Sequence, residues 1–298
     1  MDYNGFDALR KKAAQMPQKV IAVAAAHDEE VIVTVAEAYK KGIADFILVG
    51  DEKRIAELAQ KNEVKFDFTV IDERDEKEAA LKAAELVRTG KADVLMKGLL
   101  NSSVFLKAVL DENRGLKTGK LLSHLAAFEI PACAKLAFHT DGGMNTFPNL
   151  ESKKQIIANA LAALNKLGIV EPKVAVLAAN ELVSEKMPST VDAAALVAAV
   201  QRGELPSCSI EGPMAMDVAL SKEAAEHKGI ASKISGEVDL FVMPNIEAGN
   251  MVGKTLLYAA GAKMAGVILG GAKPVVMTSR AENAEGKLNS ILLASLVS

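Results

Sequence analysis
At 298 residues the chain can build one large core or two modest ones, and its 50% hydrophobic and 24% charged content is that of an ordinary globular protein. A net charge of -3 gives no general attraction to nucleic acid or to an anionic membrane, so any phosphate site must be a local basic patch. The two cysteines, Cys133 and Cys208, lack metal-ligand spacing, and no uncharged apolar stretch reaches bilayer length. These features point to a cytoplasmic protein with no nucleic-acid or membrane partner.

The first twenty residues mix acids with bases and lack the apolar centre of a signal peptide. Apolar runs then predict strands at 20–26, 45–49, 68–71, 94–96, 125–130 and 136–139. The second half adds 174–178, 208–210, 240–243, 267–269 and 275–278. Helical periodicity fits between them at 29–41, 52–61, 77–88, 153–167 and 191–201. Such alternation predicts an α/β protein of mostly parallel sheets sandwiched by helices. The two strands flanking Pro131 leave no room for a helix, so one antiparallel or edge strand is expected there.

His27-Asp28-Glu29-Glu30 invites a metal or acid–base reading, but Asp28 capping a helix, with Glu29 and Glu30 favourable to its dipole, explains the run fully. Asn101, Ser102 and Ser103 follow the strand at 94–96 and form a hydroxyl-rich helix start, able either to cap or to hold phosphate. Thr118, Lys120, Ser123 and His124 make a polar loop entering the next strand. In 238–254 (VDLFVMPNIEAGNMVGK) a strand, a turn and a helix carry Asn245, Gly249, Asn250 and Lys254. Strand-to-helix loops are where open α/β sheets bind ligands. Near the C-terminus, PVVMTSRAEN (274–283) ends a strand in Thr278-Ser279-Arg280 ahead of a helical pattern. The hydroxyls and guanidinium at a helix start suit an anion, although Ser279 and Glu282 also fit a capping box.

The PN-x3-GN-x3-K spacing and the TSR segment resemble the phosphate acetyltransferase/phosphate butyryltransferase family. MKGLLNSSVFLKAVL (96–110), TGKLLSHLAAFEIP (118–131), EKMPSTVDAA (185–194) and EGPMAMDVAL (211–220) fall in the expected order. Single-unit length and the KGL-to-FEIP segment place the likeness nearest the butyryltransferase side. The resemblance implies two α/β domains with an active-site cleft between them. Residues 1–148 and 272–298 would form the first, 149–271 the second, with the crossing in the DGGMNTFPN loop (141–149).

It also implies reversible acyl transfer between coenzyme A and inorganic phosphate in a homo-oligomer. Coenzyme A thioester and acyl phosphate are substrates, and no metal or other cofactor is required. Arg280 and Ser279 would act on the phosphoryl oxygens or the oxyanion, and Asn245, Gly249, Asn250, Lys254, Asn101, Ser102, Ser123 and Thr278 would bind substrate. The aspartate base found six residues beyond that arginine in phosphate acetyltransferases is replaced here by Gly286, so Glu285 or Glu282 takes the proton or the thiol is deprotonated by another route. Glu285 is the better candidate, since a capping box would occupy Glu282. The alternatives are a phosphate acetyltransferase or a silent acyl-CoA-binding paralogue. Metal- and nicotinamide-dependent decarboxylating dehydrogenases share the architecture but need clustered aspartates, where this chain has lone Asp217 and Asp239.

Overall fold
The computed structural model describes residues 3–65, 67–278 and 282–298. Two compact units are present, Phe6–Lys120 with Met264–Ser298, and Met1–Gly5 with Leu121–Lys263. In chain order the first holds α1 (Phe6–Ala13), β1 (Lys19–Ala24), α2 (Glu29–Lys40), β2 (Ala44–Gly50), α3 (Glu52–Lys61), β3 (Thr69–Asp72), α4 (Glu76–Arg88), β4 (Val94–Lys97) and α5 (Ser102–Val109). The other unit follows with β5 (Ser123–Glu129), β6 (Ala137–Thr140), α6 (Leu150–Lys166), β7 (Lys173–Leu177), α7 (Pro188–Gln201), β8 (Ser209–Met214), α8 (Met216–Leu220), α9 (Lys222–His227), β9 (Leu240–Val242) and α10 (Ile246–Tyr258). The chain then returns to the first unit through β10 (Lys263–Leu269), β11 (Val275–Val276) and α11 (Ala284–Leu296).

In the first unit the strands run in the order β3-β2-β1-β4-β11-β10. All pairs are parallel except β10 with β11, which the Gly270–Lys273 turn joins as an antiparallel pair. Helices cover both faces, so β1 reads as a continuous apolar run, fully buried from Ile21 to Ala24. Alternation of strand and helix is punctuated by aspartate caps. Asp28, Asp51 and Asp75 accept from the backbone N–H of Val31, Arg54 and Glu78 at 3.1, 3.1 and 2.9 Å. The capping reading of the His27–Glu30 run therefore holds for Asp28. Alanines on α4 (Ala79, Ala80, Ala83, Ala84) let that helix lie close on β1. The final helix is buried from Leu288 to Leu296 and packs on α1 and α2.

The second unit orders its strands β5-β6-β9-β7-β8. The strands either side of Pro131 form the expected antiparallel pair, Ala126 opposite His139 and Phe128 opposite Ala137, and the rest are parallel. The DGGMNTFPN loop lies inside this unit, and the chain passes between units at 5/6, 120/121 and 263/264. Glycine, proline and asparagine mark a turn there, and Asp141 fixes that turn to its own sheet.

His139 sits in this core at 4% exposure, its ring 4.7 Å from that of Phe128 and 5.0 Å from that of Phe241. Neither ring nitrogen has a hydrogen-bond partner among the described residues. Burial pushes its pKa down from 6.5 to about 3. The unfolded chain therefore binds a proton that the native state refuses. The contribution of this group is complete above pH 6.5 and is lost progressively as pH falls toward about 3. Denaturant midpoints of His139→Leu should fall less steeply than those of the unmodified protein between pH 6.5 and 4.5. Parallel slopes would mean that another group governs the acid limb.

Candidate active site
Thr278 is the described residue nearest in sequence to Ser279 and Arg280, which lie outside the described residues together with Ala281. It borders a cavity of about 230 Å³ within the first unit, between the start of α2, the end of β4 with the loop that follows, and the first turns of α11. Val31, Thr34, Met96, Leu99 and Leu100 supply its apolar surface. The charged groups facing it have partners of their own. Lys287 pairs with Glu30, and Lys97 donates to the carbonyls of Gly98 (3.2 Å) and Leu100 (2.9 Å).

The loop beyond β4 leads into α5, whose N-cap is Asn101. Its side chain makes no capping bond, and Asn101, Ser102 and Ser103 are all exposed. The uncapped N–H groups of this first turn remain suited to an anion. At the other end of the chain, α11 begins later than a Ser279 cap would require. Its N-cap is Asn283, whose side chain accepts from Gly286 N at 2.8 Å. The capping box of Ser279 with Glu282 is thereby corrected. Glu282 precedes the cap and accepts from Ser290 Oγ at 3.3 Å. It lies against Gly286, where a β-carbon would come within 2.8 Å of its Oε1. Glu285 is half-buried in the first turn.

In the second unit a loop and a helix start are built around one carboxylate. Asp141, 3% exposed, accepts from the backbone N–H of Gly143 and Met144 through Oδ1, both at 2.8 Å. Its Oδ2 accepts from His124 N (3.0 Å) and Asn145 Nδ2 (2.6 Å). Burial pushes the His124 imidazole pKa down, while the Asp141 carboxylate opposes that shift. The loop in turn receives α10. Asn250 Nδ2 donates to Gly142 O at 3.3 Å. A β-carbon on Gly249 would stand 2.7 Å from Gly142 Cα and 2.8 Å from Asp141 O, so only glycine permits this approach.

These contacts sort the predicted residues. Asn245 caps α10 by accepting from Ala248 N at 2.9 Å. Gly249 packs against the backbone of Asp141 and Gly142. Ser123 is 1% exposed, and its hydroxyl accepts from Asn159 Nδ2 at 3.0 Å at the start of β5. Asn250 and Lys254 are exposed on α10, Lys254 with its ammonium 5.9 Å from the Tyr258 ring centroid. Burial pushes the thiols of Cys133 and Cys208 up, the latter to about 11, the wrong direction for a thiolate nucleophile. Among the described residues no group of three or more His, Cys, Asp or Glu side chains is placed to hold a metal ion.

Sequence reasoning missed the Asp141 hub and the cavity residues Val31 and Thr34. The hub carried a signal, since an aspartate followed by two glycines favours a side-chain-to-backbone turn. The cavity carried none, because Val31 and Thr34 read as ordinary helix-face residues.

The description phosphate acetyl/butaryl transferase matches residues 68–295 as a family. A phosphate butyryltransferase of Clostridium acetobutylicum is 47% identical over 293 residues, covering 98% of this chain and 97% of that protein. A phosphate acetyltransferase of Thermotoga maritima is 39% identical over 278 residues, covering 93% and 95%. Among solved structures, a branched-chain phosphotransacylase from Enterococcus faecalis superposes with a TM-score of 0.83 at 32% identity, covering 94% of this chain and 98% of that one. With a family match over most of its length and relatives of this identity, the chain belongs to the phosphate acetyl/butaryl transferase family.

Proposed function
We propose that this protein transfers a short acyl group reversibly between coenzyme A and inorganic phosphate, as a phosphate butyryltransferase-type enzyme. The observation that carries the reading is the near full-length likeness at 47% identity to a phosphate butyryltransferase. Both the thioester and the acyl phosphate are activated, so the enzyme must align nucleophile and carbonyl, stabilise an oxyanion and manage one proton. None of these tasks calls for a metal or a redox group, and coenzyme A enters as substrate. We place the protein in the cytoplasm as a homo-oligomer, and a monomer mass in light scattering would contradict the second part.

We assign Arg280 and Ser279 to the reacting oxygens, with Thr278 beside them in sequence. Asn101 and Ser102 provide an open helix start for phosphate, and Asn245, Asn250 and Lys254 provide polar groups for the coenzyme. The reading is tested by thiol release from butyryl-CoA. Release should require phosphate as well as the thioester and should yield a hydroxylamine-reactive acyl phosphate. Equal release without phosphate would indicate a thioesterase, and none at all a silent paralogue.

A free thiol has a pKa of about 8.5, so its attack on acyl phosphate at neutral pH gains from a base. Glu285 keeps that assignment. Since the capping box does not occupy Glu282, both carboxylates must be compared directly. Glu285→Gln should slow coenzyme A attack on acyl phosphate by about 10²-fold or more. Glu282→Gln should change stability by less than about 1 kcal/mol, because its amide oxygen can still accept from Ser290 Oγ. Loss of activity in Glu282→Gln alone would exchange the two roles, and two active variants would move the base outside this segment.

A further inference from the structure
We infer that the cavity beside Thr278 seats the aliphatic tail of the acyl group, and that Val31 and Leu99 set the chain length the enzyme accepts. The inference rests on the proposed function and adds to it the site of substrate selection.

The chemistry of the cavity favours a tail over a phosphate. Its cations are already engaged, Lys287 by Glu30 and Lys97 by two carbonyl oxygens. The Asp28 carboxylate that also faces it is held by Val31 N as a helix cap. A phosphate placed here would meet the Asp28 and Glu30 carboxylates at close range, with Lys97, which donates to two carbonyl oxygens, the lining cation that could offset them. An alkyl chain would meet Val31, Met96, Leu99, Leu100 and the side chain of Thr34, which is 3% exposed. The cavity surface is divided about evenly between polar and apolar groups, so a tail lying along the apolar side would leave its carbonyl to the polar side.

Size narrows the choice further. A water molecule's share of liquid volume is about 30 Å³, and a methylene is of similar bulk. A cavity of about 230 Å³ has room for a four-carbon or branched acyl group with its carbonyl end toward Thr278. Val31 is half-buried in the first turn of α2, and Leu99 is exposed on the loop after β4. A change at either alters the space without cutting into the packed core.

Specificity constants for acetyl-, butyryl- and hexanoyl-CoA, measured with saturating phosphate, test this. One methylene in an apolar pocket is worth about 10- to 200-fold in discrimination. Val31→Phe, which fills the space, should lower the butyryl-to-acetyl ratio of kcat/KM by about tenfold or more. Leu99→Ala, at an exposed position where folding is not at stake, should raise the hexanoyl-to-butyryl ratio several-fold. Ratios unchanged within twofold in both folded variants, or equal losses on all three thioesters, would overturn the inference. If Val31→Phe does not fold, the Leu99→Ala ratio decides alone. No transfer from any acyl-CoA by the unmodified protein would instead overturn the functional reading, and this inference with it.

Discussion
Arg280→Ala should lower kcat for acyl transfer by about 10²–10³-fold while leaving the circular dichroism spectrum and denaturant midpoint unchanged. The expectation comes from sequence position, between the Val275–Val276 strand with Thr278 and the helix that begins at Ala284. A guanidinium there offers a planar, permanently charged fork to phosphoryl oxygens or to the tetrahedral oxyanion. The oxyanion develops only along the reaction path, so a donor aimed at it should register in kcat rather than in KM alone. Arg280→Lys should stay impaired, because an ammonium keeps the charge and loses the bidentate geometry. Near-normal turnover by a folded Arg280→Ala protein would remove the arginine from the chemistry.

Asp141→Asn should lower stability by about 3 kcal/mol or more and reduce activity beyond what that loss explains. Each carboxylate oxygen of Asp141 accepts two hydrogen bonds, from Gly143 N and Met144 N on one side and from His124 N and Asn145 Nδ2 on the other. An amide can serve only one of these pairs and turns an N–H₂ group toward the other two donors. Leaving buried donors without acceptors costs about 1–3 kcal/mol each, and bonds to a charged acceptor lie at the stronger end. The effect should reach the site because the same loop carries Gly142, which receives Asn250 through its carbonyl and Gly249 through its α-carbon. Asn145→Ala, which keeps the carboxylate and removes the bonds to Asp141 Oδ2 and Leu122 O, should cost about 1–2 kcal/mol. Urea midpoints of the two variants, set beside their specific activities, check the ordering. A stable Asp141→Asn protein would show that the loop holds its shape without the charge.

Each strand expected from the sequence has its counterpart, because burial on both faces writes a parallel strand as a plain apolar run. Their ends were harder to place. The strand Ser209–Met214 runs through Gly212-Pro213, which reads as a breaker, but it is the last strand in its unit's order, where proline is tolerated. Lys263–Leu269 extends four residues before the expected start at 267, through Gly266, whose N–H donates to Ser290 Oγ at 2.9 Å. The helix Phe6–Ala13 went unread because its eight residues offer only Phe6 and Leu9 to the core amid charge.

At the site, residue type was legible and contact was not. Asn245, Gly249 and Asn250 share a motif, yet one caps, one packs and one reaches a neighbouring carbonyl. Glu282 read as a capping partner because Ser279 stands three residues before it, whereas Asn283 supplies the cap. The acyl-length device could not be read at all, since a cavity arises from side chains distant in sequence, such as Val31, Leu99 and Thr278.

Acyl transfer between coenzyme A and phosphate can be followed in reverse, starting from an acyl phosphate and free thiol. Purified protein mixed with butyryl phosphate and free coenzyme A should form butyryl-CoA and inorganic phosphate in equal amounts, with thiol consumed at the rate at which thioester absorbance rises. Phosphate released without loss of thiol, or coenzyme A left unacylated at equilibrium, would show that the protein does not transfer the acyl group to coenzyme A.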